Sequence, residues 1–237
     1  MRHKIITAII MIVLLPVGGR LIATEPGFYV WQRNWTPAVT RAALACPREL
    51  YLLAAEFTAV GTQVKVTSIE LPPAVINRKN VTLVYRIHVE LLASLPPETA
   101  AAEIRKYAVP NLQLDVDCPE KKLFLYADLL TKLRRLLPER HFSITVLPCH
   151  LDRPDFPALA RLADYYVLQV HGLDIPSTLR EDRRLLRRET ARPAIAQAEK
   201  LGMPFKIALP TYAYQLNFDS LATGGFCRTL PTGYPGS

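Results

Sequence analysis

The chain has 237 residues, half of them apolar, with a formal charge of +8. That length holds one large domain or two small ones, and the apolar share is enough for a substantial core; the sequence carries neither a low-complexity tract nor a short-period repeat. The positive excess is spread along the chain except in the run from Arg180 to Arg192, where six arginines face three acids; without interleaved aromatics or a recognisable module it reads as a solvated helix face, and nucleic acid is not expected as a partner.

Arg2, His3 and Lys4 form a basic start, and Ile5 to Val17 is an uncharged apolar run. The run matches the central part of a signal peptide and falls short of the roughly 20 residues a membrane span needs. Gly18, Gly19 and Ala23 are small residues of the kind that precede a cleavage site, although Leu21 occupies the third position before a cut after Ala23. Residues 1–23 are therefore expected to be an export signal, with an uncleaved anchor as the second reading. The protein is expected in the periplasm, or anchored facing it, touching the membrane only through this segment.

From residue 27 onward, strand-like and helix-like patterns alternate. Phe28 to Trp35 is aromatic and β-branched, a strand. Thr36-Pro37 fits an N-cap with a first-turn proline, opening a helix that ends before Pro47. Glu49 to Thr58 is the second strand, and 60–80 reads as an irregular insertion with a hairpin around Val64 to Leu71. Val81 to Val89 is the third strand, Pro96 to Tyr107 a helix, and Asn111 to Asp117 the fourth strand. Leu123, Tyr126, Leu130, Leu133 and Leu137 recur at helical spacing up to Pro138. His141 to Leu147 is the fifth strand, Phe156 to Ala163 a short helix, and Tyr165 to His171 the sixth strand. Pro193 breaks the arginine-rich segment; a fresh helix runs to Leu201 with Gly202 as its cap. Pro204 to Pro210 is the seventh strand.

Alternation of this kind predicts parallel βαβ units. The fold class expected is α/β, a (β/α)8-type barrel with about seven units present, its domain spanning 27–215 and followed by an irregular tail over 216–237. The chain stops 27 residues after Pro210, so the barrel is expected to be incomplete and its first and last strands to keep open edges. An open doubly wound sheet is the alternative; no Gly-x-Gly-x-x-Gly follows the first strand.

Several of these strands leave polar groups near their C-terminal ends, where barrel enzymes carry their chemistry. Leu112-Gln-Leu-Asp-Val-Asp-Cys-Pro119 alternates apolar and polar side chains, and a strand sends these to opposite faces. The inward set is then Glu56, Arg86, His88, Gln113, Asp115, Asp117, Ser143, Thr145, Gln169, His171 and Tyr212. Buried charges must be paired or kept for a wet site. Asp117, Glu56 and Asp115 are the candidate catalytic residues, with Arg86 a plausible partner that makes Asp115 the more structural of the three. Two carboxylates across a cleft suit a glycoside hydrolase, one giving a proton to the leaving oxygen and the other activating water or attacking. Gln32, Trp35, Arg86, Gln169, His171 and Tyr212 are the candidate substrate-binding residues, the aromatics for stacking on sugar rings. No His or Cys spacing fits a metal site, and no cofactor is expected. Cys46, Cys118, Cys149 and Cys227 include no Cys-x-x-Cys pair; Cys118 and Cys149 follow consecutive strands, and a bridge between them and two separate thiols both stand open.

Four segments in order carry a resemblance. Phe28-Tyr-Val-Trp-Gln-Arg-Asn-Trp35, Leu112 to Pro119, Ser143-Ile-Thr-Val-Leu-Pro148 and Val167-Leu-Gln-Val-His-Gly-Leu173 resemble the bacterial domain-of-unknown-function family 3142 over roughly residues 27–215. The resemblance implies an exported barrel of the glycoside-hydrolase type, truncated at its C-terminal end, and carries no established activity. Asp115-Val-Asp117 also resembles the Asp-x-Asp-x-Glu strand of family 18 chitinases, but Pro119 stands where that pattern has its glutamate and Glu120 comes one place late. The reading that follows is a protein acting on carbohydrate, with a cell-envelope glycan as partner. A non-catalytic glycan- or envelope-binding protein and an inactive fragment are the alternatives.

Overall fold

The computed structural model describes residues 9–13, 26–172, 184–211, 214–218 and 227–231, the first and the last two of these segments through their backbone pairing only. Strands are β1 (Ile9–Val13), β2 (Phe28–Val30), β3 (Leu50–Val60), β4 (Gln63–Ser68), β5 (Val81–Ile87), β6 (Asn111–Asp115), β7 (His141–Val146), β8 (Tyr165–Gln169), β9 (Phe205–Leu209), β10 (Tyr214–Phe218) and β11 (Cys227–Pro231). Helices are α1 (Pro37–Ala45), α2 (Pro73–Ile76), α3 (Pro97–Ile104), α4 (Leu123–Leu136), α5 (Phe156–Ala160) and α6 (Arg188–Lys200). Strands β2, β3, β5, β6, β7, β8 and β9 pair in that order, every pair parallel. The fold is α/β, a (β/α)8-type barrel with seven parallel strands and helices between them.

Local chemistry explains the elements. Thr36 caps α1, its hydroxyl accepting from Val39 N–H at 3.3 Å, and Pro37 fills the first helical position, where an N–H would go unused. On α4 the side chains of Leu123, Tyr126, Leu129, Leu130 and Leu133 are buried while Lys132 and Arg135 face solvent. Gly27 lets the chain close on β3: a Cβ there would meet the Tyr51 ring at 3.1 Å and the Glu49 carbonyl at 3.2 Å.

Two apolar clusters result. The larger fills the layer between sheet and helices and includes Leu52, Leu83, Leu114, Ile144 and Leu168. The smaller lies inside the barrel and consists of Tyr29, Tyr51, Val84, Val167 and Ala208, with Trp31 and Tyr165 packed on it. Several polar groups in this interior bond across strands. Tyr29 donates to the Gln113 side-chain carbonyl, the Tyr51 and Tyr165 hydroxyls lie 2.9 Å apart, and Lys206 Nζ reaches Glu49 at 2.9 Å and the Tyr51 hydroxyl at 2.7 Å. These bonds make an interior with charge compatible with folding.

Five features depart from the expectations. β2 ends at Val30, so 31–35 is loop. Residues 60–80 are more ordered than an insertion: β4 pairs antiparallel with the second half of β3 across a turn in which Gly61 takes φ 60°, and α2 follows. Pro193 lies inside α6 rather than ahead of it; in the second turn it removes one bond to the preceding turn, which the helix tolerates. Residues 214–218 and 227–231 pair as an antiparallel hairpin in the stretch read as irregular tail. Finally, β1 lies between β9 and β2, antiparallel to both. The first and last parallel strands therefore do not keep open edges. The segment read as an export signal supplies a closing strand at the place a further βα unit would fill.

Candidate functional site

Glu56 reaches the barrel interior through an irregularity. Tyr51 pairs with Thr82 and Leu53 with Val84, but Ala55 pairs with Tyr85, leaving Ala54 as an extra residue in β3. One extra residue reverses the inside–outside alternation of everything after it. Before the bulge the odd positions share the face of Val84; after it Glu56 sits beside Arg86. Arg86 in turn pairs in register with Asp115, so Glu56, Arg86 and Asp115 form one row across β3, β5 and β6 near their C-terminal ends.

Arginines bind all three candidate carboxylates. Arg33, from the loop after β2, grips Glu56 through two bonds, Nε to Oε2 at 2.7 Å and Nη2 to Oε1 at 2.8 Å. Arg86 Nη2 donates to Asp117 Oδ2 at 2.9 Å, while its Nε stands 3.8 Å from Asp115 Oδ2. The Arg86 guanidinium also lies 5.8 Å from the centre of the Trp31 ring, which stacks on Tyr29. Burial separates the aspartates: the Asp115 side chain is 7 % exposed and that of Asp117 57 %. Burial therefore pushes the Asp115 carboxyl above the usual carboxylate range; Arg86 and a hydrogen bond from Thr145 pull it down, and Asp117 and Glu56 push it further up. The Thr145 hydroxyl also accepts from Val116 N–H at 3.1 Å, fixing the backbone between the two aspartates.

The other candidates sit at strand ends around this row. Gln169 ends β8, and its side-chain amide donates to the His171 carbonyl at 3.3 Å. His171 is buried just beyond, and burial lowers its imidazole to about 4, so it is neutral at pH 7. Gln32 and Trp35 lie in the loop after β2, Trp35 half-buried against the larger core. Tyr212 lies outside the described residues. Sequence reasoning brings together Glu56, Arg86, Asp115 and Asp117 and misses Arg33, which has no pattern of its own and is aligned with Glu56 only by the bulge. Cys46, Cys118 and Cys149 are free thiols. Among the described residues there is no group of three or more His, Cys, Asp or Glu that could hold a metal ion, and no helix long and apolar enough to cross a membrane.

Residues 84–224 match the family described as "Domain of unknown function (DUF3142)". No curated protein sequence matches the chain. Among solved structures, a glycoside hydrolase family 18 N-acetylglucosaminidase from Paenibacillus barengoltzii is similar with a TM-score of 0.55 at 12 % identity, over 87 % of this chain and 74 % of that one. The spore cortex-lytic enzyme SleL of Bacillus cereus is similar with a TM-score of 0.58 at 12 % identity, over 86 % of this chain and 54 % of that one, so the chain spans about half the length of SleL. At this identity the likeness is one of fold alone, a (β/α) barrel. The chain belongs to the DUF3142 family.

Proposed function

We propose that this protein acts on carbohydrate through the cleft at the C-terminal strand ends, as a glycoside-hydrolase-like barrel with a cell-envelope glycan as its partner. The observation that carries this reading is the row Glu56–Arg86–Asp115 with Asp117 beside it. Hydrolysis of a glycosidic bond needs one carboxyl that gives a proton to the leaving oxygen and one carboxylate that assists water or attacks. Burial favours the protonated Asp115, the state a donor requires. Asp117, more exposed and held by Arg86, is the carboxylate open to water. Trp31, beside Arg86, offers an aromatic face to a sugar ring, and Gln32, Trp35, Gln169, His171 and Tyr212 complete the proposed binding set. The basic start and apolar run of residues 1–23 support an exported protein.

One observation favours a second reading, a glycan-binding protein without catalysis. Each candidate carboxylate has a guanidinium within 4 Å, and Pro119 holds the position of the acid glutamate in the chitinase pattern. A screen of polysaccharides with wild type and Asp117→Asn separates the two. The enzymatic reading expects wild-type turnover that falls by roughly 10²–10⁴-fold or more in the variant with glycan binding kept. The binding reading expects no turnover from either protein and affinity that drops on Trp31→Ala. Wild type that neither cleaves nor binds any glycan overturns both.

A further inference from the structure

The loops after β6 and β7 carry Cys118 and Cys149, and a series of contacts holds these loops side by side. The parallel ladder ends at Leu114 beside Ile144. Past it, Val116 N–H donates to the Thr145 hydroxyl at 3.1 Å. Further on, Leu147 N–H donates to His150 Nδ1 at 3.2 Å, which makes Nδ1 an acceptor and leaves the imidazole proton on Nε2. That proton is donated to the Cys118 carbonyl at 2.6 Å. Past the strands Cys118 N–H turns back to the Val116 carbonyl at 2.8 Å and Pro148–His150 wind into a single 3-10 turn, so the His150 bond holds Cys118 against the residue that follows Cys149. Cys118 also feels Cys149 nearby. Burial pushes the Cys118 thiol up to about 12, with Lys122 opposing and Cys149 adding to the rise; Cys149 is raised by burial and by Glu120. Cys118 is buried and Cys149 exposed, so one thiol of the pair meets an oxidant from solvent and the other waits beneath it.

We propose that Cys118 and Cys149 form a disulfide when the chain meets a disulfide oxidant, fastening the loop that bears Asp117 to the loop after β7. The Cys149 thiolate attacks the oxidant's disulfide, forming a mixed disulfide and expelling one thiol. The Cys118 thiolate then attacks the Cys149 sulfur and expels the second. Two protons and two electrons leave the cysteines, and the oxidant's disulfide is reduced to two thiols. With both thiols raised, the rate grows about tenfold per pH unit below their ionisation. The bridge does not rest on the carbohydrate reading, since it follows from loop geometry alone.

The test uses the full chain, reduced and then incubated with oxidised glutathione at pH 7 and pH 8. Unreacted thiols are alkylated in denaturant and the peptides weighed. The expected result is a linked pair containing Cys118 and Cys149, formed faster at pH 8. Cys118→Ser is expected to stop at the first step, with glutathione retained on Cys149. Wild type in which all cysteines are alkylated after oxidation, or in which glutathione stays on Cys149 while Cys118 is alkylated, overturns the proposal. The wild-type measurement stands without the variant, so a poorly folding Cys118→Ser chain does not remove the test.

Discussion

His171 is only 3 % exposed, and burial holds its imidazole at about 4 against an ordinary 6.5. His150 is lowered by burial too, with the Cys118 carbonyl and nearby acids opposing. Both are neutral in the folded protein where the unfolded chain has begun to protonate them. The unfolded state then binds more protons, so stability is complete above about pH 6.5 and falls as pH drops toward 4. For His171 alone the loss amounts to roughly 3 kcal/mol at most. Asp115 contributes with the opposite sign, because its raised carboxyl keeps a proton that the unfolded chain releases above the usual carboxylate range. The His171 contribution is lost between the ordinary 6.5 and its folded value of about 4. Urea midpoints measured across that interval should fall steadily with acidification, and His171→Gln should flatten the slope. A midpoint constant from pH 7 to 4.5 would show that the imidazoles stay as accessible to protons in the fold as outside it.

Ala54, the extra residue of β3, decides which face Glu56 occupies. Without the slip Glu56 would fall opposite Ile87 and face away from Arg86. Losing the arginine that grips a mostly buried carboxylate leaves that charge without its partner, so Arg33→Ala should lower the melting temperature more than Ala54→Gly, which costs about 1 kcal/mol through backbone freedom. Calorimetry of the two variants decides, and equal melting temperatures would argue that Glu56 gains nothing from its position. The same bulge marks a boundary of what was legible in the sequence. The seven parallel strands and the caps of α1 follow from alternation, spacing and proline placement, because periodicity records which side chains face the core. Asp115 and Arg86 follow as well, since β5 and β6 pair without irregularity. The Arg33–Glu56 grip depends on a one-residue slip that composition does not record. Nor was the 214–231 hairpin visible, since its strands are short and set among glycines and prolines, which signal turns more strongly than strands. Pro193 misled for a related reason: a proline early in a helix sacrifices little, and pattern alone does not distinguish that position from a break.

At the scale of the molecule, the sheet is closed by a strand that runs against all the others it touches. β1 pairs Ile9, Ile10 and Met11 with β2 and Met11, Ile12 and Val13 with β9. A chain beginning at residue 24 would present the free edges of β2 and β9, and free edges pair with other chains. It should melt at a lower temperature than the full chain and scatter light increasingly as concentration rises; identical melting and scattering would show that the seam closes without β1. If residues 1–23 act as the export signal proposed above, export machinery and the barrel would compete for Ile9–Val13. On that proposal, passage across a membrane and completion of the fold are rival outcomes for the same five residues, settled by which partner reaches them first after synthesis.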